Sequence, residues 1–291
     1  MFFQALLSGL VTGSIYALLA LGVVIIFKAT ESVNFAYGEI FMIGAYIGLA
    51  VYAYLKLPYP IVFVITFMLG CLIGFVLERG VLRSVLKAKG EIVAIVIATV
   101  GFSVFIKGMF RFLRITEFVR SFPTLFPSKM LNIGDSVITA DGGVVLLIAL
   151  LIMIIFFIFF KFTKIGKAMQ AVSQNFRAAS LVGISVPGIF SFTWSLSSGI
   201  GAISGLLIGP IILIHPDMGI VLMQAFAAAI IGGVKNIPGA IFGGFVVGII
   251  ENMVGLYVST NFIVIAPFFA IILVLIFKPE GIFTWGKKRL V

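Results

Sequence analysis

Apolar segments long enough to cross a bilayer recur along the whole chain, and they constrain its fold more than any other feature. A helix needs roughly 20 consecutive apolar residues to cross the hydrocarbon core. Nine segments approach that length, each bounded by charged residues or proline: 4–27, 35–55, 59–82, 91–113, 142–162, 188–213, 218–234, 237–258 and 261–277. Of the 291 residues, 62% are hydrophobic and only 10% are charged, whereas soluble domains carry about 25% charged residues. We therefore predict an all-α, polytopic transmembrane helical bundle of eight or nine spans, with residues 1–291 forming a single membrane domain.

The segment at 218–234 is the weakest of the nine, and it is either a span or a re-entrant, broken helix. Glycine and proline residues around Lys235 and Asn236 interrupt the helical pattern that follows it. Broken helices at membrane depth expose backbone groups that can bind solutes. The simplest interpretation of the interruption itself is a tight cytoplasmic turn between the seventh and eighth spans.

The distribution of basic residues predicts the orientation of the spans. If the C-terminal Lys287-Lys288-Arg289 is cytoplasmic and there are nine spans, the N-terminus lies outside. Alternation then places fourteen of the twenty Lys and Arg residues on the cytoplasmic side, as the positive-inside rule requires. The basic stretch from Lys107 to Lys129 fits this orientation least well, and an eight-span arrangement would move the N-terminus inside. Two connections leave the bilayer, an external loop at 114–141 and a cytoplasmic loop at 163–187.

Several classes of site are excluded by what the sequence lacks. One cysteine, Cys71, and one histidine, His215, offer no cluster of metal ligands. The sequence contains no Ser-His-Asp set, no carboxylates at a glycosidase-like spacing and no Gly-x-x-x-x-Gly-Lys-Ser/Thr phosphate loop. The net charge of +10 comes mostly from residues at the ends of apolar segments, where they face lipid headgroups. We therefore expect a protein of the lipid bilayer that is not an enzyme, with no catalytic residues, metal, cofactor or nucleic-acid partner.

Glycines recur at a spacing of four in several spans, as at Gly9 and Gly13 and again at Gly244 and Gly248. This spacing aligns the glycines on one helix face and lets two backbones approach closely. We expect these faces to pack helix against helix.

The cytoplasmic loop contains an amphipathic segment. Its apolar residues recur at helical spacing: Ile165, Met169, Val172, Phe176 and Ala179. Ala178 and Ala179 permit a close approach, and Gly183 permits a turn back into the next span. From these residues alone, a helix lying on the bilayer surface and a helix docking in a groove of a soluble partner are equally good interpretations.

Polar residues inside the predicted spans are candidates for a solute pathway. Asn34 and Glu39 stand at the start of the second span, near its cytoplasmic end, whereas Glu251 and Asn252 lie well inside the eighth. An ionisable group in a span needs a partner or a water-filled path. These four residues and Gln224 are therefore predicted to line the pathway. The structural alternative is that the first two cap the helix that follows and that the others bond neighbouring helices.

The amphipathic segment resembles the EAA motif of ATP-binding cassette importer permeases, through Arg177-Ala178-Ala179 and the following Gly183. In that class, Glu-Ala-Ala precedes a glycine by four residues, and the loop forms a coupling helix that inserts into the ATPase subunit. Here Arg177 replaces the glutamate, so no role for that side chain follows. The resemblance implies contact with an ATPase through Met169, Val172, Phe176, Arg177, Ala178, Ala179 and Gly183.

Three further stretches resemble the LivH-like permease family of branched-chain amino acid importers. They are 13–22 in the first span, 33–46 around Asn34 to Glu39, and 225–244, which matches the family's Gly-Gly-x-x-x-x-Pro-Gly-Ala signature. In the second stretch a tyrosine stands where histidine is common. The similarity runs from about residue 8 to residue 282 in the family's order.

The resemblance implies an importer permease in the cytoplasmic (inner) membrane of a prokaryote, with multiple spans and a cytoplasmic C-terminus. It would translocate branched-chain or related hydrophobic amino acids. The implied partners are a paralogous, LivM-like second permease subunit, two ABC ATPase subunits and an extracytoplasmic solute-binding protein. One alternative is an ion-coupled secondary transporter, a class that tends to place carboxylates in several spans. The other is a permease of the same family that carries urea, short amides or a sugar. The sequence contains no loop resembling a selectivity filter, so it does not favour a channel.

Overall fold

The computed structural model describes residues 1–87, 92–112, 122–123, 130–133 and 136–283, and every structural statement below concerns these residues. The apolar segments form helices because a helix satisfies its own backbone hydrogen bonds within lipid. The helices are α1 Phe2–Thr30, α2 Tyr37–Leu55, α3 Tyr59–Leu77, α4 Arg83–Lys87, α5 Ile92–Phe112, α6 Ala140–Phe162, α7 Lys164–Gln174, α8 Phe176–Leu181, α9 Val186–Ile208, α10 Leu222–Gly232, α11 Ile237–Tyr257 and α12 Ala266–Phe277. A π-helical turn, Glu78–Leu82, joins α3 to α4, and 3-10 helices occupy Met218–Val221 and Thr260–Phe262.

Seven helices in the described part are long and apolar enough to cross a membrane, namely α1, α2, α3 with its continuation to Val85, α5, α6, α9 and α11. The segments Met218–Gly232 and Ala266–Phe277 are apolar and helical but shorter. The prediction of an all-α polytopic helical bundle is confirmed. Within the predicted external loop, β1 Met130–Ile133 and β2 Ser136–Thr139 form an antiparallel hairpin. Residues 113–121, 124–129 and 134–135 of this region lie outside the described residues.

One end of the bundle, here called the inner end, collects basic residues that the positive-inside rule predicts to be cytoplasmic. Lys28, Lys161 and Lys235 line one cavity there. The chain also returns to this end after α12, where the Ile282 N–H donates to the Ile231 carbonyl at 2.8 Å. Because α1 runs toward the inner end, Met1 lies at the opposite, outer end. The helices therefore follow the predicted nine-segment order, although α10 and α12 are short. The tail at 287–289 lies outside the described residues.

The two long helices α1 and α9 are the most deeply buried spans of the bundle. α1 packs antiparallel against α11 through the glycine faces. A Cβ atom on Gly9 would lie 2.8 Å from the Ile249 Cα, and one on Gly13 would lie 2.9 Å from the Phe245 Cα. The glycine faces predicted from spacing therefore do pack helix against helix.

The outer layer consists largely of α3, α5, α6 and α12, whose outward surfaces are apolar. Large exposed side chains on these helices include Met68, Ile97, Leu147 and Ile276. In water such a surface would be unfavourable, whereas lipid tails solvate it well.

The predicted cytoplasmic amphipathic helix is two helices rather than one. α7 ends at Gln174, and Asn175 adopts an extended conformation with φ of −161° before α8 begins. The Asn175 Oδ1 accepts a hydrogen bond from the Ala178 N–H at 2.9 Å and so caps α8. The sequence pattern did not reveal this break, because the apolar spacing continues through it.

Candidate functional site: interrupted helices and a helix pair at the inner end

The connection between α1 and α2 enters the bundle instead of turning at its inner end. α1 stops at Thr30, and the linker 31–36 continues without helix alongside α5. The Phe35 N–H donates to the Thr99 Oγ1 at 3.3 Å, and Thr99 lies two turns into α5. α2 therefore starts well inside the bundle.

Asn34 organises the start of α2. Its Oδ1 accepts the Ala36 N–H at 3.0 Å, and its backbone carbonyl accepts the Tyr37 N–H at 3.3 Å. The side chain is 3% exposed, and its Nδ2 has no hydrogen-bond partner. A buried amide with unused donors is unfavourable unless something else binds there.

Glu39 lies deeper than the sequence predicted. The prediction placed it near the cytoplasmic end, but it contacts the outer half of α5, where Ser103 Oγ donates to Oε1 at 3.1 Å. Lys107 Nζ forms an ion pair with the same oxygen at 3.3 Å. The earlier placement was wrong because it assumed a short turn, whereas the extended linker 31–36 carries the chain across part of the bundle before α2 begins.

The Lys107 position also bears on the basic stretch that fitted the predicted orientation least well, of which Arg114, Arg120 and Lys129 lie outside the described residues. Lys107 is not an exposed base at the outer end, because it lies within α5 and is paired with a buried carboxylate. One turn further outward, Arg111 pairs with Asp217 at 3.0 Å, with both side chains mostly exposed. These contacts account for two of the bases assigned to the outside.

A second interrupted segment meets the first at the level of Glu39. After α9 the chain turns back through the 3-10 helix Met218–Val221, and α10 then runs to the inner end. A Cβ atom on Gly219 would lie 3.0 Å from the Gly38 carbonyl oxygen and 3.2 Å from the Glu39 Oε1. The N-terminal ends of α2 and α10 therefore meet inside the bundle. From this point the two helices run in opposite directions. The broken-helix interpretation of 218–234 describes this segment better than a full span.

Glu251 lies in a separate contact between α1, α10 and α11. The Tyr16 hydroxyl and the Gln224 amide lie against its carboxylate, and its Oε2 has no hydrogen-bond partner. With its amide oriented so that the nitrogen donates, Gln224 bonds the Val221 and Ile220 carbonyls at 3.2 and 3.1 Å. Gln224 therefore bonds the turn before α10 and lies next to the carboxylate on α11.

Asn252, the next residue in the sequence, takes part in the packing of α11 against α1. Its Nδ2 donates to the Thr12 Oγ1 and to the Gly248 carbonyl, both at 2.9 Å. The first bond crosses from α11 to α1, close to the glycine faces. No contact in the described residues brings Asn252 to Glu39.

The helix pair α7–α8, at the inner end, separates the predicted coupling residues into two groups. Met169, Val172 and Ala179 are buried against the protein's own helices, at 5%, 1% and 3% exposure. Phe176, Arg177 and Ala178 are exposed. Gly183 has a positive φ of 85° and turns the chain toward α9.

Two residues that the sequence analysis did not single out are the most exposed apolar side chains of the helix pair. Leu181 and Val182 are 87% and 76% exposed at the C-terminal end of α8. They directly follow the Arg-Ala-Ala-Ser stretch. An apolar pair just after a motif of small residues is the sequence feature that could have indicated them. Exposed apolar side chains at a polar surface are typical of a protein interface.

Residues 5–277 match the model of the family described as branched-chain amino acid transport system / permease component. The chain belongs to this permease family.

Curated relatives of the permease carry the same description. It is 31% identical to the high-affinity branched-chain amino acid transport system permease protein LivH of Escherichia coli K12, over 97% of this chain and 95% of the relative. Identity is 28% to the permease protein BraD of Pseudomonas aeruginosa, over 97% and 95%. The chain is 27% identical to a probable branched-chain amino acid transport permease protein LivH of Methanocaldococcus jannaschii, over 97% of this chain and 93% of the relative. Among solved structures, PsaBC from Streptococcus pneumoniae in complex with Fab is similar with a TM-score of 0.49 and 17% identity, over 95% of this chain and 91% of that chain.

In this permease, α9 is tied to α3 immediately after the helix pair. Glu78, in the π-helical turn, is 2% exposed and pairs with Arg83 at 3.1 Å. Ser191 donates to the Glu78 Oε2 at 2.6 Å, and Arg83 donates to the Ser191 Oγ at 2.6 Å. A π-helical turn often marks a functional position. The network connects the first turns of α9, which follow α8, to the membrane helix α3.

Proposed function

We propose that this chain is the transmembrane permease subunit of an ATP-binding cassette importer, which moves branched-chain or related hydrophobic amino acids across the cytoplasmic membrane. The observation that carries the proposal is the family match over residues 5–277, with relatives described as branched-chain amino acid permeases along nearly their whole length. Separate ATPase subunits would supply the energy, because the sequence has no phosphate-binding loop of its own.

The proposed partners each require a different surface. A second, paralogous permease subunit would complete the membrane part, and two ATPases would bind at the inner end. A solute-binding protein would deliver the amino acid at the outer end, near the β1–β2 hairpin. The multi-pass chain would lie in the inner membrane of a prokaryote with its C-terminus in the cytoplasm, which agrees with the basic residues at the inner end.

The coupling contact would be made by α8 rather than by the whole loop. Phe176, Arg177 and Ala178 are exposed in the first turn of α8, and Leu181 with Val182 is exposed at its C-terminal end. An apolar helix end of this kind can insert into a groove on a soluble partner. Met169, Val172 and Ala179 would hold the helix pair on the bundle, so they would act by positioning α8.

A movement of α8 would be transmitted to the membrane spans through side-chain contacts. Gln170 on α7 donates to the Phe160 carbonyl of α6 at 2.7 Å, and the Glu78–Arg83–Ser191 network joins α9 to α3. A cavity of about 400 Å³ lies between the helix pair and the starts of α5 and α9, lined by Ile95, Val172 and Phe176 among others. This space leaves room for the helix pair to shift against the bundle.

The solute pathway would pass the interrupted helices. Asn34, Glu39, Gln224 and Glu251 are the predicted pathway residues whose polar groups lie at the starts of α2 and α10 or contact α10. Unwound backbone between half-helices is a common way for transporters to bind solutes at membrane depth. The contacts of Asn252 favour a role in packing α1 against α11.

Reconstitution tests the proposal. The permease, purified with its partner permease and both ATPases, is placed in proteoliposomes, and uptake of labelled leucine, isoleucine and valine is measured. We expect uptake to require ATP on the ATPase side and the loaded binding protein on the other, and to be insensitive to ionophores. Uptake driven by an ion gradient without ATP would instead identify a secondary transporter. ATP-dependent uptake of urea, short amides or a sugar, but of no amino acid, would refute the substrate assignment.

A further inference from the structure

We propose that Glu39 and Lys107, at the meeting point of the N-terminal ends of α2 and α10, form a site for the main-chain zwitterion of an α-amino acid. The ammonium group of the solute would bind the Glu39 Oε2. Its carboxylate would bind Lys107 and the two helix ends. This inference rests on the proposed function, because it assumes that the solute passes through this chain.

Glu39 has one carboxylate oxygen available. Its Oε1 accepts from Ser103 at 3.1 Å and pairs with Lys107 at 3.3 Å. Its Oε2 is buried and has no hydrogen-bond partner, although the residue is only 3% exposed. A buried carboxylate oxygen without a donor is unfavourable. An ammonium ligand would supply the missing donor.

Lys107 can hold an anion while it keeps its ion pair. A lysine ammonium has three N–H donors, and the pair with Glu39 accounts for one of them. The Lys107 side chain is 35% exposed, whereas that of Glu39 is 4% exposed. The lysine therefore faces the open side of the pair, where a solute carboxylate can reach it.

The helix ends add positive potential at the same place. The N-terminus of a helix carries a partial positive charge and attracts anions. Because the first turn of α2 touches the 3-10 turn before α10 at Gly38 and Gly219, two such ends converge beside Glu39. The nearby Asp217 is already paired with Arg111, so the Glu39 carboxylate faces a lysine and two helix ends. This balance leaves room for one further negative charge, which the solute carboxylate supplies.

An apolar surface lies beside the charged pair. Ile220, next to Gly219, is 59% exposed. Further toward the inner end, the rings of Phe35 and Phe226 pack at 5.6 Å between centroids. Ile220 would contact the aliphatic side chain while the zwitterion binds at Glu39 and Lys107, and the Phe35–Phe226 pair would offer the next apolar contact toward the inner end.

The site separates the candidate substrates by chemistry. An α-amino acid carries an ammonium and a carboxylate on one carbon and can satisfy both Glu39 and Lys107. Urea, short amides and sugars are uncharged, so they would leave the Glu39 Oε2 and the remaining Lys107 donors without a charged partner. A polar site built for charged groups rejects solutes that lack them.

The first test measures transport and ATP hydrolysis in the same proteoliposomes, with the complete complex and leucine-loaded binding protein. We expect Lys107→Met and Glu39→Gln each to lower leucine uptake by about ten- to a hundredfold, the loss associated with a hydrogen bond to a charged group. Binding-protein-stimulated ATP hydrolysis should stay within about twofold, since docking and coupling do not use these side chains. Lys107→Arg should restore part of the uptake.

The matched control is Arg111→Met, which removes the same charge one turn further along α5. Its pair with Asp217 is mostly exposed, so uptake should change by less than about twofold. If Lys107→Met behaves like Arg111→Met, or if uptake and ATP hydrolysis fall together, the zwitterion site is refuted while the proposed function stands. Failure of the unaltered complex to import leucine, isoleucine or valine would overturn both.

A second measurement does not depend on how well the Lys107 variants fold. In a complex with Cys71→Ala and Ile220→Cys, a hydrophilic maleimide labels the new thiol beside the site. Leucine should slow the labelling, whereas 4-methylpentanoate, which lacks the ammonium, and 3-methylbutan-1-amine, which lacks the carboxylate, should not. Labelling of Val258→Cys at the outer end should be unaffected by all three. Equal protection by leucine and either analogue would refute recognition of the zwitterion.

Discussion

Gly38 packs directly against Gly219, so that a Cβ atom on Gly38 would lie 2.5 Å from the Gly219 carbonyl oxygen. Neither residue has a positive φ, so the requirement for glycine comes from the close approach of the two backbones. This contact sets the distance between the start of α2 and the turn before α10. It therefore determines the shape of the region around Glu39.

Gly38→Ala should destabilise the permease by about 1–3 kcal/mol, because the added methyl group overpacks a contact between two backbones. The thermal unfolding temperature of the purified complex in detergent is the measurement. Gly101→Ala on α5 is the control, since its Cβ would meet nothing within 4 Å, and its unfolding temperature should be unchanged or higher. Equal unfolding temperatures for the two variants would contradict the contact.

Leu181→Glu should weaken binding of the ATPase without unfolding the permease. The side chain is 87% exposed, so the substitution removes apolar contact with a partner and leaves the internal packing intact. The ratio of ATPase to permease after affinity purification should fall, and the unfolding temperature of the isolated permease should not.

Ala179→Leu serves as the comparison for that experiment. Ala179 is 3% exposed and packs against the protein's own helices, so the larger side chain should lower the unfolding temperature of the permease itself. A full complement of bound ATPase on the Leu181→Glu variant would rule out α8 as the coupling contact.

Glu251→Gln should lower amino-acid uptake more than it lowers the yield of assembled complex. The variant keeps the shape of the side chain, which lies against Tyr16 and Gln224, but it removes the negative charge of a carboxylate whose Oε2 has no hydrogen-bond partner. Asn252→Ala loses the bond to Thr12 and should affect stability more than uptake. We expect it to remove about 1 kcal/mol of stability and so to lower the unfolding temperature. Unchanged uptake by the Glu251→Gln complex would make that carboxylate structural.

Arg83→Met should destabilise the permease more than Arg111→Met does. Removal of Arg83 leaves the Glu78 carboxylate buried at 2% exposure with only Ser191 as a side-chain partner, and an uncompensated buried charge costs about 3–5 kcal/mol. The exposed Arg111–Asp217 pair contributes about 0–1 kcal/mol. The two unfolding temperatures should therefore differ clearly. Similar values would mean that the Glu78 network does not hold α9 in place.

Hydrophobic pattern was sufficient to predict most of the membrane helices and their order, and glycine spacing was sufficient to predict that glycine faces pack helix against helix. These features follow from local rules, since segment length determines spans and spacing of four determines a packing face. The sequence did not indicate which helix meets the Gly9 and Gly13 face; in the structure it is α11.

The depth of the 31–36 linker could not be predicted in the same way. Ser32 and Asn34 are polar and follow a charged residue, a pattern that equally describes a turn in water. Their burial depends on contacts with α5 and α10, which are distant in sequence, such as the bond from Phe35 to Thr99. The same holds for Lys107, whose pairing with Glu39 no local pattern indicates.

The buried linker also has a consequence for how the protein enters the membrane. A non-helical stretch cannot remain in lipid by itself, because its backbone groups would have no partners. Phe35 in this stretch bonds Thr99, and the adjoining Gly38 and Glu39 contact Gly219 and Lys107. All three partner residues lie on segments that the ribosome makes later. The first two spans therefore cannot reach their final arrangement as they emerge, and residues 31–36 must wait near the bilayer surface until α5 and α10 have been inserted.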